Sequence, residues 1–182
     1  MYEVEMKLRA DHERVRRALA ERGADGRGTL VQRDTYYDAP TQSFAETDEA
    51  LRVRRERADD DATVSAKLTY KGPRVGETGK SREERELGIE DSDVMDGILE
   101  SLGFEAVETV EKERVRFSLD GCVVTLDTVT GLGEFVEVET EAEDGALEAA
   151  RAEVADAVES LGLDPASEIR TSYLELLLGD SS

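Results

Sequence analysis

Apolar and polar residues alternate from the second position. Tyr2, Val4, Met6 and Leu8 fall on one side, and Glu3, Glu5 and Lys7 on the other. A period of two predicts a strand over residues 2–9. Asp11 then predicts an N-cap for a helix to about Glu21, with Val15, Ala18 and Leu19 on one stripe and Gly23 as its stop. Strands are expected at Val31–Tyr37, Ala50–Glu56 and Thr63–Tyr70, after a polar loop from Asp38 to Asp48. The stretch Gly72–Lys80, with Pro73, Gly76 and Gly79, reads as a connecting loop.

The second half repeats the plan. Arg82–Glu90 predicts a strand, Asp91–Asp93 caps a helix over Val94–Leu102, and strands follow at Val110–Leu119, Cys122–Val129 and Phe135–Glu141. A long helix over 145–161 and a shorter one over Ser167–Leu178 close the chain. The pattern implies an α+β domain spanning 1–182, with pseudo-repeat βαβββ halves over about 1–75 and 81–142 and C-terminal helices within 145–178. Eight antiparallel strands can close into a β-barrel with a charged lumen and helices outside. An open antiparallel sheet backed by helices fits the same pattern.

Parity gives nearly every strand a charged face. Arg52 and Arg54 oppose Leu51 and Val53; Lys67 and Lys71 oppose Ala66, Leu68 and Tyr70. Arg82, Glu84 and Glu86 share a face, as do Lys112, Arg114 and Arg116. Thr125 and Asp127 align, and Glu137 and Glu139 oppose Val136 and Val138. Such faces could look out to water. The amphipathic helices, however, need an apolar partner, which the other strand faces supply. The charged faces then turn inward. Clustered Arg and Lys suit a polyanion, because guanidinium groups bind phosphate oxygens in pairs. Clustered carboxylates suit Mg²⁺ or Mn²⁺, which also bridge phosphates.

Composition narrows the field. The net charge is -21 and the charged fraction 37%. That balance argues against nucleic acid or an anionic membrane as partner and fits a solvated coat suited to high salt, a halophilic trait. Only five of the 23 basic residues are Lys, and Lys7, Lys67, Lys71 and Lys112 all lie on the charged faces. The fifth, Lys80, falls in the central loop and could guard a tunnel mouth. Cys122 is a lone thiol in an apolar run, read as a buried small hydrophobe. His12 reads as a surface helix residue. One His and one Cys exclude the common catalytic triads and a thiolate zinc site. No signal peptide or apolar run near membrane-spanning length is evident, so a cytoplasmic location is expected.

Glu3-x-Glu5-x-Lys7 resembles the E-x-E-x-K signature of the CYTH superfamily, the triphosphate tunnel metalloenzymes. QRDTYYD, ALRVR, LTYKGP, SREERE, EKERVRF, TLDTVTGLGEFVEVE and SYLELL extend the likeness over nearly the whole chain, most closely to the class IV adenylyl cyclase-like branch. The resemblance implies metal ligation by Glu3, Glu5, Glu137 and Glu139, with Asp127 and Glu84 contributing. It implies a triphosphate grip by Lys7, Arg52, Arg54, Lys71, Lys112 and Arg114, with Lys67 and Arg82 beside them. Glu3, Glu5, Lys7 and Asp127 become the expected catalytic group. Glu86 and Arg116 are further candidates.

Three functions follow as expectations: conversion of ATP to cyclic AMP and pyrophosphate with Mg²⁺ or Mn²⁺; hydrolysis of tripolyphosphate, a nucleoside triphosphate or thiamine triphosphate; or non-catalytic nucleotide or polyphosphate binding. The complete carboxylate set argues against the last, since anion binding needs only cations. No aromatic platform for a base stands out, Tyr36, Tyr37, Tyr70 and Phe135 reading as packing residues. A homodimer is expected by family analogy alone.

Overall fold

The computed structural model describes residues 2–58, 63–75, 81–143 and 145–179. The elements in chain order are β1 (Tyr2–Arg9), α1 (His12–Glu21), β2 (Asp25–Asp38), β3 (Ala50–Ala58), β4 (Val64–Val75), β5 (Ser81–Ile89), α2 (Ser92–Ser101), β6 (Glu105–Leu119), β7 (Cys122–Val129), β8 (Gly133–Ala142), α3 (Leu147–Ser160) and α4 (Tyr173–Gly179). The order is βαβββ twice, then the C-terminal helices. The strands form one eight-stranded sheet in the order β1-β8-β7-β6-β2-β3-β4-β5. This hydrogen-bonded series has β1 and β5 at its ends. Among the described residues no ladder joins the two, so hydrogen bonds do not close the sheet into a ring.

The chain forms two compact units, residues 1–30 with 112–182 and residues 31–111. In the first unit, alternation puts Met6, Leu8, Val124, Leu126, Val136 and Val138 on one sheet face. Val15 and Leu19 of α1 and Val154, Ala157 and Val158 of α3 cover it. Asp11 caps α1 by accepting from the Arg14 amide at 2.8 Å. In the second unit, Tyr37, Leu51, Val53 and Leu99 of α2 form the core. Gly103 ends α2 at a positive φ of 86°. A Cβ there would lie 3.2 Å from Cγ of Pro40, so both the backbone turn and the close approach favour glycine. In each unit the helices cover the apolar strand faces, and the charged faces turn away from them.

Several boundaries differ from expectation. β4 continues to Val75, through Gly72 and Pro73, and the loop read from Gly72 shrinks accordingly. Lys80 lies outside the described residues. His12 is buried instead of exposed: its Nε2 lies 2.8 Å from the Phe135 carbonyl, and its amide donates to Glu134 at 2.9 Å. The first turn of α1 therefore docks on the start of β8. The expected helix from Ser167 divides into a 3₁₀ turn, Pro165–Ser167, an extended segment and α4. Arg151 holds Glu168 at 2.7 Å, and the Ile169 amide donates to the Lys7 carbonyl at 2.7 Å, which draws the segment out beside β1. Cys122 is buried, as expected. No helix among the described residues is long and apolar enough to cross a membrane.

Candidate functional site

In the first unit, register sets the charges side by side. Lys7 pairs with Glu137, which pairs with Thr125, which pairs with Arg116. One rung along, Glu5 pairs with Glu139. In the other direction Arg9, Phe135, Asp127 and Arg114 lie across from one another. Cross-strand partners share a face, and so do residues two apart on one strand. Glu3, Glu5, Lys7, Lys112, Arg114, Arg116, Asp127, Glu137 and Glu139 therefore occupy one face.

Glu3, Glu5 and Glu139 each place a carboxylate oxygen within 4.8 Å of the others. Glu3 and Glu139 also line a recess of about 420 Å³, which solvent enters. Glu5 reaches solvent, but crowding by the surrounding protein, followed by the charges of Glu137 and Glu3, pushes its carboxyl up to about 7. Lost hydration and the charge of Glu3 raise Glu139 as well. Mutual repulsion among converging oxygens is what a hard divalent cation relieves, and an all-carboxylate donor set suits Mg²⁺ or Mn²⁺. These residues thus fit a metal.

Asp127 and Glu137, expected beside that metal, both hold Arg114. Arg114 donates from Nε to Asp127 Oδ1 at 2.8 Å and from Nη2 to Oδ2 at 2.6 Å, and Nη2 also reaches Glu137. Asp127 is fully buried, which opposes its charge, yet the Arg114 bonds and charge win and hold its carboxyl below the usual range. Burial likewise opposes the Arg114 charge, and its bonds to Asp127 with the charge of Glu137 outweigh it. Glu137 remains close enough to be the strongest charge acting on Glu5. Lys112 lies 3.9 Å from Asp127. Lys7 is buried, which lowers its pKa, and donates to the Thr171 carbonyl at 2.6 Å.

The second unit carries its own cation set. Arg54 donates to Asp34 through Nε at 2.7 Å and Nη2 at 2.6 Å, and Arg52 reaches Asp34 and the Tyr36 hydroxyl. Lys67 bonds Glu86 at 2.8 Å, and Lys71 pairs with Glu84 at 3.0 Å. Glu84, expected as a contributor to the metal, thus faces a lysine of its own unit. Arg82 pairs with Arg74 in the ladder, and its side chain lies outside the described residues. Among the described residues, Nε of Arg52 and Nε of Arg116 are buried with no acceptor. A buried donor without a partner is costly, so both are suited to an incoming anion.

Two residues of the site escaped the sequence reading. Asp34 shares parity with Gln32 and Tyr36 on β2, a polar face that would have marked it. Tyr173 donates its hydroxyl to Asp127 at 2.9 Å and packs edge-on against Phe135. Its signal is the capping box Ser172-x-x-Glu175. The Glu175 amide donates to Ser172 Oγ at 3.1 Å, and the Ser172 amide to Glu175 at 2.7 Å. That box starts α4 at Tyr173.

Residues 1–173 match the family described as the CYTH domain. The Methanocaldococcus jannaschii protein named "Putative adenylate cyclase MJ0240" is 35% identical over 178 residues, 97% of this chain and 98% of its own length. The PH1819 protein of Pyrococcus horikoshii OT3 superposes with a TM-score of 0.86 at 36% identity, covering 98% of this chain and 99% of that one. A Hippeastrum protein described as "Putative adenylyl cyclase HpAC1", with a dominant triphosphatase activity, shares the fold, with a TM-score of 0.67 at 19% identity over 98% and 96% of the two chains.

Proposed function

Since the chain belongs to the CYTH domain family, we propose that it is a divalent-metal-dependent enzyme acting on a triphosphate, converting ATP to cyclic AMP and pyrophosphate. The observation that carries this reading is the single sheet face of the first unit. There the Glu3, Glu5 and Glu139 oxygens converge beside Lys7, Lys112, Arg114 and Arg116. Anion binding alone would need only the cations. The carboxylate trio adds the donors for Mg²⁺ or Mn²⁺, which when bound would neutralise charge on phosphate oxygens.

The chain's own residues then do the rest. Lys7, Lys112, Arg114 and Arg116 hold phosphate oxygens and stabilise charge as it gathers on the departing pyrophosphate. Within the second unit, Arg52, Arg54, Lys67 and Lys71 are donors suited to phosphate oxygens in their own right. In cyclisation the ribose 3′-oxygen bonds to the α-phosphorus, the bond from that phosphorus to the β-bridging oxygen breaks, and the hydroxyl proton is lost. The name of the M. jannaschii relative favours this reaction.

Hydrolysis of tripolyphosphate or another triphosphate is the second reading, and one observation favours it. Among the described residues, Phe135 on the charged face packs on Tyr173, and the Tyr36 hydroxyl accepts from Arg52, so neither is set out as a platform for a nucleobase. The deciding experiment supplies ATP and tripolyphosphate with Mg²⁺ or Mn²⁺ in high salt. Cyclic AMP with stoichiometric pyrophosphate supports cyclisation. Orthophosphate without cyclic nucleotide supports hydrolysis, and tight binding with no product reduces the site to a binding module.

A further inference from the structure

Tyr173 is buried, and it is not among the residues that α1 and α3 pack against the sheet. Besides packing on Phe135, it meets three charged groups. The Lys7 ammonium lies 4.4 Å from the ring centroid and the Lys112 ammonium 5.0 Å, and the hydroxyl donates to Asp127. Two cations on one ring and a carboxylate on its hydroxyl are more than packing requires. The backbone fixes the ring in turn. The Ile169 amide bonds the Lys7 carbonyl, Lys7 bonds the Thr171 carbonyl, and the Ser172–Glu175 box begins the helix at Tyr173.

We propose that Tyr173 is a positioning residue of the anion site: its ring seats the Lys7 and Lys112 ammonium groups, and its hydroxyl holds Asp127 against Arg114. The proposal rests on the triphosphate reading above. An ammonium carries three donor hydrogens on a flexible stem, and a ring face restrains it without consuming a hydrogen-bond acceptor. For Lys7, with one donor on Thr171 and the ring alongside, donor capacity remains for a phosphate oxygen. Without the ring, the lysines would lose their separation and swing toward Asp127 and Glu137. Cation–carboxylate pairing would then compete with the substrate.

The test titrates tripolyphosphate into the parent chain, Tyr173→Phe and Tyr173→Leu in EDTA by calorimetry, beneath each protein's thermal midpoint. Tyr173→Leu should weaken binding by about tenfold, while Tyr173→Phe, which keeps the ring, should stay within about threefold of the parent. With metal, Tyr173→Phe should lower kcat while leaving KM near the parent value, because Asp127 alone has lost a partner. Equal affinity of the folded Leu variant and the parent would overturn the proposal, as would equal losses in both variants. If Tyr173→Leu does not fold, Tyr173→Trp gives a single tryptophan in a chain that has none. Its emission should change on tripolyphosphate addition, with the same half-saturation as the heat, and an unchanged emission at saturating ligand would overturn the proposal. Absence of any heat with the parent chain would instead sink the triphosphate reading itself.

Discussion

Arg54 grips Asp34 with two parallel hydrogen bonds, Nε to Oδ1 at 2.7 Å and Nη2 to Oδ2 at 2.6 Å. The first unit holds the same arrangement, Arg114 on Asp127 at 2.8 and 2.6 Å. In both pairs a buried aspartate fixes the guanidinium plane from one edge. The aspartate thereby orients the cation that a phosphate would meet and offsets the cost of burying it.

Removing that partner should be costly. Asp34 is 2% exposed, and Asp34→Ala would leave Arg54 and Arg52 without their shared carboxylate. Breaking a buried pair from one side costs about 3 kcal/mol, so urea unfolding should show a loss of that order. Asp34→Asn, which keeps the shape and accepts one bond, should lose less. Equal stability of parent and Asp34→Ala would show that the pair is only a surface contact.

Arg52 and Arg116 make the clearest case for anion contacts, since each buries an Nε that lacks an acceptor. Arg116→Ala should weaken tripolyphosphate binding by about 1–3 kcal/mol, the scale of a hydrogen bond to a charged group, and Arg52→Ala should do the same. Thermal stability should hold or rise for Arg116→Ala, since an unsatisfied buried donor is deleted, whereas Arg52→Ala also takes a partner from Asp34 and should lose some. Calorimetric titration beside a thermal melt checks both parts, and a variant that loses stability while keeping affinity would assign its arginine to the scaffold.

The metal assignment predicts that Glu5→Gln abolishes Mn²⁺ binding and metal-dependent turnover with little change in circular dichroism. The amide keeps the shape of Glu5 and removes the charge from the trio with Glu3 and Glu139. Manganese binding followed by paramagnetic resonance reads the loss directly. Retained binding would move the metal to other carboxylates.

Alternation made β1 legible to the residue, β7 keeps its expected bounds, and Asp11 marked the start of α1, because these signals are local; α2 begins at Ser92, two residues before the expected Val94, since Asp91 alone caps it. Parity also puts Glu3, Glu5 and Lys7 on one face of β1 and Glu137 and Glu139 on one face of β8, while the family resemblance is what joins the two sets. Parity could not say which carboxylate faces a cation and which faces another carboxylate. That is set by register between strands over a hundred residues apart, such as Lys7 opposite Glu137 and Glu5 opposite Glu139. Tyr173 was hidden for a similar reason. The helix period over 167–178 is continuous in the sequence, while a tertiary bond from Ile169 to Lys7 breaks it and moves the start to Tyr173, behind the Ser172 cap. His12 was misjudged because its burial comes from β8, not from its own helix.

Stability without metal should fall as pH rises from about 5 to 8. The folded chain raises Glu5 from an ordinary value of 4.5 to about 7, through crowding by the surrounding protein and then the charges of Glu137 and Glu3. Below 4.5 the carboxyl is protonated whether the chain is folded or not, and folding carries no charging cost. Between those values the unfolded chain ionises while the folded one keeps its proton, so unfolding releases a proton and alkali favours it. Above 7 the penalty is complete. Asp127 acts oppositely, in a lower window: its depressed pKa contributes stability that disappears only in strong acid. Whole-chain repulsion also grows with pH, so the informative quantity is the difference between parent and Glu5→Gln. In urea titrations with EDTA, the parent should lose stability relative to Glu5→Gln across pH 5–8, and Mg²⁺ or Mn²⁺ should recover the loss for the parent alone. A difference that stays flat with pH would mean that solvent in the recess beside Glu3 and Glu139 screens the trio, and that Glu5 titrates as an ordinary carboxylate.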